Sequence, residues 1–89
     1  MIFLPSGTMS KIYRDSFIKA VNSADTNKLG VQLGNLCIEF DIPIKDAAEH
    51  FGVSYNMVYN WFKGLTNVPP EYQEAVAHAV KALLDKRKQ

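Results

Sequence analysis

Hydrogen-bonding side chains recur at helical spacing in the second half of this sequence, within a helix predicted over residues 55–63. The helical wheel turns Val58 and Trp61 to one side, and the side chains that face the other way are Asn56, Tyr59, Asn60 and Lys63, with Tyr55 at the margin. An asparagine amide can bond the edge of an adenine, a tyrosine can touch a thymine methyl or donate to a phosphate, and a lysine ammonium suits a phosphate. The candidates for base reading are therefore Tyr55, Asn56, Tyr59 and Asn60, and Lys63 is a candidate for a phosphate contact. Residues 55–70 contain no carboxylate. We therefore expect this face to recognise a nucleic acid.

Four further polar residues lie near this helix, and we expect them to contact phosphates: Ser54, Lys45, Thr66 and Asn67. Ser54 also stands where the N-cap of the helix is expected. The alternative is that the polar face is ordinary solvated surface and that Thr66 and Asn67 are simple loop residues.

The composition offers little support for other chemistry. The sequence has no Ser, His and Asp arrangement, no paired-carboxylate site and no glycine-rich phosphate loop, so we predict no enzyme, no metal, no cofactor and no small-molecule substrate. The single Cys37 lies on an apolar stripe and is expected in the core, whereas His50 and His78 are expected at the surface. Ten basic and nine acidic side chains give a formal net charge of +1, which is lower than many nucleic-acid binders carry.

A helical period runs through most of the chain, and no segment alternates as a strand does. The sequence therefore predicts an all-α bundle of about five helices: residues 10–22, a helix after a Thr26 N-cap, residues 44–51, residues 55–63 and a helix opened by Pro69 and Pro70. Residues 1–24 are interpreted as a leader with an accessory helix, with Met9 as an alternative start. Residues 25–89 are interpreted as the main part of one globular unit.

The third and fourth predicted helices form a helix-turn-helix unit. Ala48 is small where the two helices must cross, and Gly52 relieves the turn between them. Residues 29–84 resemble the phage repressor and Cro family, and the residues that carry this resemblance are Leu29-Gly30, Leu33, Ala47-Ala48, Phe51-Gly52-Val53-Ser54, Val58 and Trp61-Phe62-Lys63-Gly64.

The resemblance implies a sequence-specific transcriptional regulator that binds double-stranded DNA, with residues 55–63 as the recognition helix in the major groove. We expect a homodimer, because one recognition helix reads few base pairs. We also expect a cytoplasmic location in a bacterium or a phage-infected host and no membrane partner, because the apolar run at residues 1–4 is too short for a signal or a span. The alternative is a protein-binding module that uses the Tyr- and Trp-rich surface of this fold on transcription machinery or another regulator.

The sequence departs from the family in two places. Many members pair an Arg of the leading helix with a Glu near the end of the recognition helix, but the matching residues here are Cys37 and Phe62. Both are apolar, so we expect them to pack in contact with each other. The second departure is the N-terminal helix. We expect it to cover an apolar strip of the second helix, with a dimer partner as the alternative cover; the strip consists of Gly30, Val31, Gly34 and Ile38.

Overall fold

A computed structural model describes residues 12–88 of the chain. Within this range it contains five α-helices and no strand: α1 (Asp15–Ser23), α2 (Leu29–Glu39), α3 (Ile44–Phe51), α4 (Tyr55–Phe62) and α5 (Pro70–Arg87). The predicted all-α bundle of about five helices is confirmed. None of the described helices is both long and apolar enough to cross a membrane.

Helix α2 is the centre of the bundle and contacts α1, α4 and α5. Apolar and glycine residues occur on nearly every side of it, a pattern typical of a helix that is buried all round. Its buried residues are Gly30, Val31, Leu33, Gly34, Leu36, Cys37 and Ile38. The helix ends at Glu39, just before residues 41–43, which the sequence predicts to stop it. Asp41 has a left-handed backbone with φ of 55°, and Pro43 then precedes α3.

Helices α3 and α4 are joined by a tight turn. Helix α3 has the predicted bounds, and Gly52 follows it with φ of 70°, in the left-handed region that favours glycine. The N–H of Val53 donates to the Ala48 carbonyl at 3.0 Å, which closes the end of the helix. Ser54 is then the N-cap of α4, and its hydroxyl accepts from the Met57 N–H at 3.2 Å. The predicted C-cap and N-cap are both confirmed.

The predicted starts of the first two helices are wrong. Arg14 has an extended backbone with ψ of 149°, so α1 begins at Asp15; Ser10 lies outside the described residues. Thr26 is not the N-cap of α2, which begins after Lys28. The Asp25 carboxylate accepts from the Asn27 N–H at 2.9 Å, and this local turn delays the helix because it competes for the same backbone groups.

The apolar strip on α2 is covered differently from the prediction. Helix α4, rather than α1, covers its two glycines: a Cβ atom on Gly30 would lie 2.7 Å from the Cβ of Trp61, and one on Gly34 would lie 2.9 Å from the Cβ of Phe62. Val31 and Ala24, the residue that follows α1, both lie close to Gly64, since a Cβ atom on Gly64 would be 3.1 Å and 3.3 Å from their side chains.

Helix α5 packs along α2 and also contacts α3. Val76 and Val80 are buried, and Tyr72, Ala79 and Leu83 are half-buried, as their predicted inward positions require. Near its end, Arg87 pairs with Glu39 of α2 at 3.4 Å. This pair is exposed, so its contribution to stability is small.

Candidate nucleic-acid interface

Helix α4 is held at both ends and along its inner face. Its N-terminus is capped by Ser54, and beyond its C-terminus the Lys28 ammonium donates to the Gly64 carbonyl at 2.9 Å. On the inner face the side chains of Val58, Trp61 and Phe62 are almost completely buried. A helix fixed in this way cannot rotate about its axis, so the direction of its outer face is fixed as well.

The outer face of α4 carries the residues that the sequence predicts to read bases. Asn56 is exposed and Tyr55 is 54% exposed, whereas Tyr59 and Asn60 are only partly exposed. Lys63 follows the helix as its C-cap and is also partly exposed. The structure therefore brings these five side chains to one face, but it does not leave them equally accessible.

Tyr59 is the least free of the five because α1 packs against it. Its ring lies 5.3 Å from that of Phe17, which in turn stacks on the Tyr13 ring at 5.3 Å. On its other side, Tyr59 lies 6.4 Å from the Tyr55 ring. The Lys63 ammonium donates to the Tyr59 hydroxyl at 3.3 Å and lies 5.0 Å from its ring centre. These contacts hold Tyr59 and Lys63 in one arrangement.

Sequence reasoning missed the part that Tyr13, Arg14 and Phe17 take in this surface. Tyr13 is tied down by its hydroxyl, which donates to the Ile42 carbonyl at 2.5 Å, and burial is the main reason that its pKa is raised. The bond joins residues 29 positions apart. No local sequence signal points to a bond over such a separation. Phe17 gives no signal either, because it fits the ordinary apolar stripe of a short helix.

A cleft of about 440 Å³ opens between α1 and α4. The described residues that line it combine aromatic rings with the cations Arg14 and Lys63, and no carboxylate is among them: Ile12, Tyr13, Arg14, Ser16, Phe17, Ile44, Tyr55, Tyr59 and Lys63. Such a lining suits a ligand that offers negative charge beside flat or apolar groups, as nucleic acid does.

Besides Lys63, the four other residues predicted to contact phosphates lie around α4. Lys45 is exposed in the first turn of α3, directly after the cleft residue Ile44, and Thr66 and Asn67 are exposed in the loop between α4 and α5. Ser54 is exposed too, but its hydroxyl already accepts the capping bond. It can still donate its own hydrogen to a phosphate.

A second cleft, of about 420 Å³, lies between α3 and α5 and is mostly apolar. Cys37 lines it but is 2% exposed, and burial raises the pKa of its thiol to about 12. A protonated, buried thiol is a poor nucleophile. His50 and His78 are exposed at the same cleft, and residues 12–88 contain no group of three or more side chains suited to hold a metal ion.

No protein-family model matches this chain, and no curated protein or solved structure matches it either. The likeness to repressor and Cro proteins therefore depends on the sequence motif itself.

Proposed function

We propose that this chain is a sequence-specific regulator that binds double-stranded DNA, with α3 and α4 as a helix-turn-helix and α4 in the major groove. The observation that carries the proposal is the contrast between the two sides of α4. One side is locked into the core, and the other presents amide, phenol and ammonium groups with no carboxylate between residues 55 and 70.

The short turn at Gly52 supports this function because it joins two packed helices, as a helix-turn-helix requires. In such a unit the first helix crosses the DNA backbone while the second enters the groove. Asn56 is the exposed amide, and we assign it the main base contact. Asn60 lies one turn further along the same face and reads a neighbouring base. Lys63 binds a phosphate, and Lys45, Ser54, Thr66 and Asn67 add contacts to the backbone beside the groove.

Selection of bound duplexes from a random DNA pool tests the proposal most directly. We expect a palindromic consensus whose half-sites lie about 10 bp apart, because a homodimer places its two recognition helices one helical turn apart. A pool that shows no enrichment contradicts sequence-specific binding.

Fluorescence anisotropy on the selected site then tests the individual roles. Asn56→Ala and Asn60→Ala should each weaken binding by about 1 to 3 kcal/mol and relax the preference at one base pair. Lys63→Ala should weaken binding to all sequences alike, and the slope of log affinity against log salt concentration should become shallower by about one unit. The matched control is Asn22→Ala, which changes an exposed asparagine of α1 and should leave affinity unaltered. Equal effects from the control and from Asn56→Ala would contradict the assignment.

A second function, binding to another protein, has specific support in two exposed apolar side chains. Tyr55, the first residue of α4, is 54% exposed, and Leu65, which follows the helix, is 64% exposed. The near-neutral net charge fits this function as well. Salt distinguishes the two, because DNA affinity falls steeply with salt, with a log-log slope of about −0.9 per phosphate contact.

A further inference from the structure

Helix α1 is attached to the outer side of α4, next to the proposed recognition face. The Phe17 ring connects the two helices through Tyr59, and the Tyr13 hydroxyl fixes the start of α1 to the Ile42 carbonyl. The two contacts restrain the segment that carries Arg14 from both of its sides. As a result Arg14 lines the same cleft as Tyr55 and Lys63.

Arg14 is available for a partner. It is exposed, its side chain does not cap α1, and among the described residues its guanidinium has no ion pair. Among the described residues, none that lines the cleft shared with Lys63 is a carboxylate, so these walls offer the two cations no counter-charge. Ser16 adds a hydroxyl to the same lining. An arginine is well suited to a phosphate because its planar group can donate two parallel hydrogen bonds.

We propose that α1 is a second element of the DNA-binding surface, in which Arg14 contacts a backbone phosphate of the strand beside the groove that α4 enters. This inference rests on the proposed DNA-binding function and adds a contact that the helix-turn-helix unit does not supply. The cleft between α1 and α4 then holds a stretch of the sugar-phosphate backbone between Arg14 and Lys63.

The test compares Arg14→Gln with Lys19→Gln in the full chain. Both variants remove one exposed positive charge near or within α1, but Lys19 does not line the cleft. Affinity for a labelled random-sequence duplex is measured over a salt series, since a phosphate contact is independent of sequence. Arg14→Gln should make the log-log slope shallower by about 0.9 and weaken binding about 8-fold at about 0.1 M salt, with the difference vanishing toward about 1 M. Lys19→Gln should retain the wild-type slope, and Arg14→Lys should recover most of it.

Thermal unfolding of each variant verifies that the fold is intact, and the exposed position of Arg14 predicts an unchanged midpoint. The contact is overturned if Arg14→Gln keeps the wild-type slope, or if Arg14→Gln and Lys19→Gln lose the same amount of affinity. If Lys63→Ala lowers the slope while Arg14→Gln does not, this inference fails and the proposed function stands. Absence of duplex binding by the wild-type chain overturns both.

Discussion

Helix α4 meets α2 and α1 in very different ways. Against α2 the contact is so close that a Cβ atom on Gly34 would lie 2.9 Å from Phe62, and Phe62 itself is fully buried. Against α1 the contact is a loose row of rings, with Phe17 and Tyr59 half-buried at 5.3 Å and a cleft beside them. The close contact determines where the proposed recognition face points, and the loose one leaves room for a ligand. Stability should therefore depend mainly on the α2 side.

The largest expected effect is at Phe62. Phe62→Ala should lower the free energy of unfolding by about 3 to 5 kcal/mol, because it removes a fully buried ring and leaves a cavity. Tyr59→Ala, on the outer side of the same helix, should cost about 1 kcal/mol. Urea denaturation measures both. Equal losses would remove the distinction between the two contacts.

Gly34→Ala should come next, at about 2 kcal/mol, since the added methyl group overlaps Phe62. Alanine is the better helix former by about 1 kcal/mol, so without this overlap the substitution would stabilise α2. The sign of the change is therefore the measurement that matters. A raised midpoint of thermal unfolding would show that α2 and α4 can move apart at low cost.

The buried thiol of Cys37 gives a pH dependence to the α2 side. Its pKa is about 12 in the folded chain against an ordinary value of 9.0. Between these pH values the thiol therefore ionises only in the unfolded chain. The free energy of unfolding should be unaffected by this group below pH 9.0 and should fall above it, by about 1.4 kcal/mol per pH unit up to about 12. Denaturation on both sides of pH 9.0, for wild type and Cys37→Ala, measures this. The variant should show the shallower decline, and parallel curves would mean that water reaches the thiol.

The smallest effect is expected at the attachment of α1. Tyr13→Phe should cost about 1 kcal/mol because it removes the hydroxyl that donates to the Ile42 carbonyl. Tyr55→Phe is the matched control, since the Tyr55 side chain is exposed, and it should change stability by less than about 0.5 kcal/mol. A Tyr13→Phe variant as stable as this control would indicate that the rings alone hold α1 in place.

Two sequence predictions about the core, the packing of Cys37 with Phe62 and the cover of Gly30 and Gly34, have different outcomes. Phe62 is buried as predicted, and Cys37 belongs to the same core cluster. Direct contact between the two side chains stays a prediction. The expected covering of Gly30 and Gly34 by the N-terminal helix is wrong, since α4 lies there.

The sequence by itself determined the features whose causes are local. The bounds of α3, the left-handed Gly52, the Ser54 cap and the proline start of α5 all depend on interactions within a few residues, which periodicity and residue type reveal. The outer arc of α4 also follows from the wheel, because the buried side of a helix defines the opposite one.

Only the tertiary structure decided which helix covers which face and which outer residues remain accessible. A glycine strip permits close approach by any helix, so Gly30 and Gly34 could not identify α4 as their neighbour. Tyr59 looks as free as Asn56 on a wheel, yet Phe17 covers it from a distant part of the chain. Such contacts depend on the packing of several helices at once, because burying their apolar faces together, rather than any local preference, sets their arrangement.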